Sequence, residues 1–170
     1  AHGITPDLLT FAKGLGNGLA MAGVVGRREL IDCIPANSIS TFGGNPLSTA
    51  GALANLEYVH EHDLQTNAYK MGQQLKDGFH HLADEVPNIG DVRGKGLMLG
   101  VEFIVPGTKD PDGPTTARVM EEAKAGGLLI GKGGLHGNVL RIAPPLSLPT
   151  EEAEDGLGLL SDAVRRATGE

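Results

Sequence analysis

Tryptophan is absent from the 170 residues, aromatics make up only 4%, and Cys33 is the single cysteine. One cysteine excludes an internal disulfide and a cysteine-based zinc cluster, so a reducing, cytoplasmic setting is expected. Cations are also few: 14 Lys and Arg stand against 21 Asp and Glu, a formal charge of -7 that repels a phosphate backbone and disfavours a general nucleic-acid binder. The longest strongly apolar stretch, Leu19 to Val25, is far shorter than the roughly 20 residues that span a bilayer, and no basic region followed by an apolar one marks the N-terminus. A membrane or targeting segment is therefore not expected. Glycine, by contrast, is plentiful at 26 residues, about twice its usual share of roughly 7%. The length suits one domain, or one domain plus part of a neighbour. The chain begins Ala-His-Gly rather than with Met, so residues upstream are expected.

Along the chain, Leu8 to Phe11 and Leu19 to Val25 read as strands joined by a tight loop carrying Gly14, Gly16 and Gly18. A short helix over Glu29 to Cys33 ends at Pro35, and Ser40 to Pro46 reads as a loop. A helix follows from Leu47 with Leu53, Leu56 and Val59 on one stripe, and a second from Leu64 with Tyr69, Leu75, Phe79 and Leu82 on another. Beyond Pro87 come four strand candidates: Ile89 to Val92, Leu97 to Val105, Leu128 to Ile130 and Val139 to Ile142. Amphipathic helices are expected over Thr115 to Ala125 and Glu151 to Ala167, the latter with Thr150 as N-cap and acids in its first turn. Residues 106–114 read as an exposed turn-forming excursion, and a boundary near Asn88 separates a strand-loop-helix portion from a compact α+β unit.

Three familiar patterns fail. Gly14-Leu15-Gly16-Asn17-Gly18 has its third glycine one place early for a dinucleotide fingerprint, and a strand follows instead of a helix. Gly126 to Lys132 begins like a phosphate-binding loop, but Gly133 stands where a hydroxyl would be needed. His60-Glu61-His62 and His80-His81 lack helical ligand spacing, so solvated histidines and no metal site are expected.

Lys13 follows a strand and precedes a glycine-rich turn, a place where an amine can be presented into a cleft with its pKa lowered by burial, as Schiff-base chemistry requires. Spacing alone favours an ordinary surface lysine. Arg141 interrupts the apolar run Val139 to Ile142, and a partly buried guanidinium there needs either a structural ion pair or a bound carboxylate. The stretch Ser40-Thr41-Phe42-Gly43-Gly44-Asn45-Pro46 could cradle an oxyanion or phosphate, or be a plain turn, and Gly94-Lys95-Gly96 could be a hairpin turn with a solvated lysine.

Four stretches in order carry a resemblance: Pro6 to Gly18 around Ala12-Lys13-Gly14, Thr41 to Pro46, Gly90 to Met98, and Leu140-Arg141-Ile142-Ala143-Pro144-Pro145-Leu146. Together they resemble the class III pyridoxal-phosphate-dependent aminotransferases, nearest the alanine-glyoxylate branch, beside 4-aminobutyrate and ornithine aminotransferases. The resemblance reverses the reading of Lys13. It implies the C-terminal part of an α/β, fold type I enzyme: residues 1–46 the end of the large cofactor-binding domain, 47–87 linking helices, and 88–170 a small α+β C-terminal domain. It further implies that Lys13 forms a Schiff base with pyridoxal 5'-phosphate and later shuttles the substrate proton. Thr41 would bind the cofactor phosphate of the neighbouring subunit in a homodimer, and Arg141 would pair with a substrate carboxylate. Amino acids or ω-amino acids and 2-oxo acids are the implied substrates.

The family's upstream glycine loop, ring-stacking aromatic and pyridine-binding aspartate are not found in this sequence. The 170 residues alone are therefore expected not to transaminate. Alternatives are an aminomutase or racemase on the same scaffold, or a catalytically silent fragment.

Overall fold

The computed structural model describes residues 3–36 and 39–169, and its contacts divide the chain into two compact units, Ala1–His62 and Asp63–Glu170. In the first unit, β1 (Leu8–Ala12) and β2 (Ala22–Gly26) form an antiparallel pair with Leu8 opposite Gly26 and Ala12 opposite Ala22. The second strand starts later than expected from Leu19, because the register closes at Ala12 and Ala22 and the Leu19 amide turns back to the Gly16 carbonyl at 3.0 Å. Helix α1 (Arg28–Ile31) is one turn long, and α2 (Pro46–Glu61) completes the unit. The expected loop 40–46 ends one residue early: Pro46 is the first helical residue, where a missing N–H costs nothing, and Asn45 caps the helix by accepting from the Ser48 amide at 3.0 Å.

The second unit opens with α3 (Leu64–Glu85), followed by β3 (Ile89–Lys95), β4 (Met98–Phe103), α4 (Gly113–Ala125), β5 (Gly131–Gly133), β6 (Val139–Ile142) and α5 (Thr150–Thr168). The four strands form an antiparallel sheet in the order β3-β4-β6-β5. Strand β4 alternates strictly, burying Leu99, Val101 and Phe103 and turning Met98, Gly100 and Glu102 the other way, as a sheet with one covered face requires. The buried side meets Leu75, Phe79 and Leu82 of α3, Val119 and Ala123 of α4, and Leu160 and Val164 of α5 in one continuous core. Helix α3 therefore packs with the sheet, and the contact division falls between His62 and Asp63.

Other expectations need correction. Tyr69 is exposed, since the buried stripe of α3 runs through Ala68, Met71, Leu75, Phe79 and Leu82. Leu53 and Leu56 of α2 are exposed as well. The apolar run Leu128 to Ile130 is not a strand: Gly127 at φ +88° ends α4, Leu128 and Ile130 pack against the core, and the three residues after them pair with β6. Pro149, not Thr150, is the N-cap of α5, without a side-chain bond; the caps that carry one are Asn45 and Asp112, whose Oδ1 accepts from the Thr115 amide at 2.9 Å. Residues 106–111 are exposed, and the excursion ends early because Gly113 and Pro114 begin α4.

Helix α3 and the β3–β4 hairpin approach each other closely. A Cβ on Gly72 would sit 2.2 Å from the Gly96 carbonyl oxygen, so the two backbones touch directly. Gly72→Ala is expected to force them apart and cost about 1–3 kcal/mol. Gly158→Ala, in α5 where a Cβ meets nothing, is expected to gain about 0.5–1 kcal/mol. Urea unfolding midpoints of the two variants check the contrast.

Candidate functional site

Lys13 stands where β1 ends and a single 3-10 turn, Lys13–Leu15, begins. It is exposed rather than buried, and its backbone is left-handed at φ +54°, as is that of Asn17 at φ +45°. Two side-chain-bearing residues held in that region within one short loop store roughly 1–2 kcal/mol each. The loop is held by its own main chain and by α2. The Gly16 amide donates to the Lys13 carbonyl at 3.1 Å, and Asn55 Nδ2 donates to the Gly14 and Leu15 carbonyls at 3.0 and 3.1 Å. Gly16 is required, because a Cβ there would lie 2.1 Å from the Leu19 oxygen. Gly14 and Gly18, in contrast, have open space where a Cβ would be. Lys13 lines two open hollows, one of about 590 Å³ along β1 and β2 and one of about 430 Å³ over Gly14 to Ala20.

Thr41 opens the turn 41–44, which ends at Gly44 with φ +67°. Asn45 Nδ2 donates to the Phe42 carbonyl at 2.9 Å, and the Gly43 amide donates to the Ser40 carbonyl at 3.1 Å, so the turn is built against the head of α2. The Thr41 hydroxyl is exposed and has no hydrogen-bond partner among the described residues, and Phe42 beside it is 80% exposed.

Arg141 belongs to the second unit. Its neighbours Leu140 and Ile142 are buried in the core, which turns Arg141 to the opposite face of the sheet, exposed rather than partly buried. Among the described residues no carboxylate lies within ion-pair distance of it, so the structural ion pair allowed by the sequence is not formed. Arg93 on the same face is engaged: Asp91 at 2.7 Å and Glu102 pair with it, and these two carboxylates, Asp91 first, raise its pKa above the ordinary value. Arg141 also borders an apolar cavity of about 530 Å³ lined by Leu75, Phe79, Ile130 and Leu148 among others. Lys13 and Thr41 lie in one unit and Arg141 in the other, and no hydrogen bond joins Lys13 to Thr41 among the described residues. The same residues contain no cluster of three His, Cys, Asp or Glu able to hold a metal, and no helix long and apolar enough to cross a membrane.

The family model described as aminotransferase class-III matches residues 1–164. The chain belongs to the class III aminotransferases. It is 43% identical to the Arabidopsis thaliana protein named alanine--glyoxylate aminotransferase 2 homolog 2, mitochondrial, over 91% of this chain and 33% of that one. It is 38% identical to an alanine/serine racemase of Pyrococcus horikoshii, over 95% of this chain and 34% of the other. A Bacillus anthracis aminotransferase of known structure superposes with a TM-score of 0.89 at 34% identity, covering 97% of this chain and 40% of that one. This class III aminotransferase chain thus spans about a third of the length of the curated relatives it matches, and its mixed α/β fold is that of the C-terminal part of a fold type I enzyme.

The family implies pyridoxal phosphate, and the residues present fit it. An aldehyde needs a reachable primary amine, which exposed Lys13 offers, and a flat ring needs main chain without side chains, which open Gly14 and Gly18 offer. A phosphate needs free donors, which the unpartnered Thr41 hydroxyl can supply.

Asn55 escaped sequence reasoning; its one signal is a carboxamide inside the apolar run Ala52 to Leu56. Asn55→Ala is expected to leave two loop carbonyls without their side-chain donor and lower the local opening free energy by about 1–2 kcal/mol. Hydrogen exchange at residues 14–19 should then quicken by about 5- to 30-fold.

Proposed function

We propose that the complete subunit containing this chain is a pyridoxal-phosphate-dependent aminotransferase that moves an amino group between an amino acid or ω-amino acid and a 2-oxo acid. In this reading residues 1–46 end the large domain, 47–87 link, and 88–170 form the small domain. The observation that carries it is Lys13, an exposed amine held in a strained, glycine-opened turn within a family-matched segment. Bound pyridoxal phosphate supplies the electron sink for bonds at the substrate's amino carbon.

This chain's residues do the rest. The Lys13 amine would hold the cofactor and would move the proton at the donor carbon. Asn55 keeps the loop beneath that amine from relaxing. The Thr41 hydroxyl and turn main chain bind the phosphate of the partner subunit's cofactor in a homodimer, a role consistent with the exposure of Phe42 and Leu47 around it. Arg141, which pairs with no carboxylate among the described residues, takes the substrate carboxylate in a two-pronged contact.

The racemase relative at 38% identity favours a second reading, in which a residue of the site would return the proton to the same carbon without an amino acceptor. Turnover without any 2-oxo acid would select it.

Lys13→Ala in the complete subunit is expected to abolish covalent retention of pyridoxal phosphate after borohydride, with loss of the visible absorption band; an unchanged band would overturn the assignment. Arg141→Lys is expected to weaken carboxylate substrates by about 1.5–3 kcal/mol in kcat/KM, and equal kcat/KM values would make Arg141 structural. Mixed dimers of Lys13→Ala and Thr41→Ala subunits are expected to recover partial activity, because one of the two shared sites then has both residues. No recovery would contradict the contribution in trans.

A further inference from the structure

Cross-strand pairing places Arg93 opposite Gly100 and Gly100 opposite Arg141, so the two arginines share one face of the sheet with only a glycine between them. Glu102, two residues beyond Gly100 on the same strand, points to that face as well and is opposite Val139, two residues before Arg141. Glu102 and Arg141 are therefore diagonal neighbours, about 7–8 Å apart at the backbone and within reach of each other's long side chains.

They nevertheless do not pair, and the reason is visible in Glu102. Its Oε2 accepts from Arg93 Nη1 and its Oε1 from Asn138 Nδ2 at 3.3 Å. Asn138 is buried and tied to the Phe103 carbonyl at 2.9 Å, so it cannot follow Glu102 elsewhere. The Arg93 stem lies beside Gly100, with its Cγ 3.9 Å from where a Cβ would be and Val139 Cγ1 closer, at 3.2 Å. Asp91, opposite Glu102 on β3, accepts from the same guanidinium nitrogen at 2.7 Å.

We propose that Arg93 is a positioning residue for substrate binding: with Asn138 it holds the Glu102 carboxylate away from Arg141, leaving the Arg141 guanidinium open to a substrate carboxylate. The inference rests on the reading of Arg141 as carboxylate anchor. Without Arg93, Glu102 turns to Arg141, its diagonal neighbour on this face, because Lys95 stands opposite Met98, four residues back along β4; every carboxylate ligand must then first displace Glu102.

The test uses the complete, cofactor-loaded subunit and glutarate as the carboxylate probe, with Kd measured by calorimetry. Arg93→Met keeps the stem and removes the charge; the pair it breaks is half exposed, so the fold should persist. The glutarate Kd is expected to rise about two- to fivefold, the competition one exposed cross-strand ion pair can exert. Adding Glu102→Gln should restore the parental Kd, a rescue that simple loss of structure would not give. The crystal structure of Arg93→Met should show Glu102 within ion-pair distance of Arg141. If Arg93→Met does not fold, Arg93→Gln, which retains a donor but no charge, is read in the same way.

An unchanged Kd in the folded variant, or no rescue by Glu102→Gln, would overturn the proposal. Arg141→Met separates the two readings. A large loss of glutarate binding there, with none in Arg93→Met, defeats only the role of Arg93; an unchanged Kd in Arg141→Met defeats the anchor itself.

Discussion

Helix α3 lies directly on the β3–β4 hairpin at Gly72 and Gly96, and much of the second unit is set by that contact of two backbones. It fixes which side of the sheet is covered. The hairpin pairs Lys95 with Met98, so Leu99, Val101 and Phe103 fall toward α3, α4 and α5, and Gly100 and Glu102 fall away. Because side chains alternate with a period of two, Arg141 follows: opposite Gly100 on β6, it has to stand on the uncovered face between core residues Leu140 and Ile142. A slip of one residue would bury the guanidinium.

The first unit is held differently. Among its described residues Ser48 and Ala52 of α2 and Gly16 of the loop are buried, and it keeps its shape through the β1–β2 ladder and two asparagines. Asn45 ties the Thr41 turn to the start of α2, and Asn55, farther along the same helix, ties the Lys13 loop to it. One helix thus positions both segments assigned to the cofactor. The many exposed apolar side chains around them, from Leu8 and Leu9 to Leu53 and Leu56, are surface that a subunit about three times this length could cover.

Sequence periodicity revealed most of the second unit because its elements are amphipathic against one core. The buried stripe of α3 and the strand at Val139 to Ile142 have strong periods. It failed where apolar residues serve no repeating face: Leu53 and Leu56 look like a core stripe and are exposed, and Leu128 to Ile130 look like a strand but pack beside one. The caps of α2 and α4 were hidden inside stretches read as loops, since Asn45-Pro46 and Asp112-Gly113-Pro114 carry turn residues that also begin helices. At the site, spacing alone left Lys13 an ordinary lysine and Arg141 undecided between an ion pair and a ligand. The resemblance singled them out; the structure adds the positive φ of Lys13 and the missing partner of Arg141. The Arg93, Glu102 and Asn138 network joins three separate strand segments in space, a relation no local pattern expresses.

The central claim is that the amine at the end of β1 carries the cofactor. Its most direct test is peptide mapping by mass spectrometry of the complete subunit after loading with pyridoxal phosphate and reduction with borohydride. The phosphopyridoxyl group is expected on the peptide containing Lys13 and on no other lysine of the chain. Modification at Lys95 or Lys132 instead, or none within these 170 residues, would contradict the account.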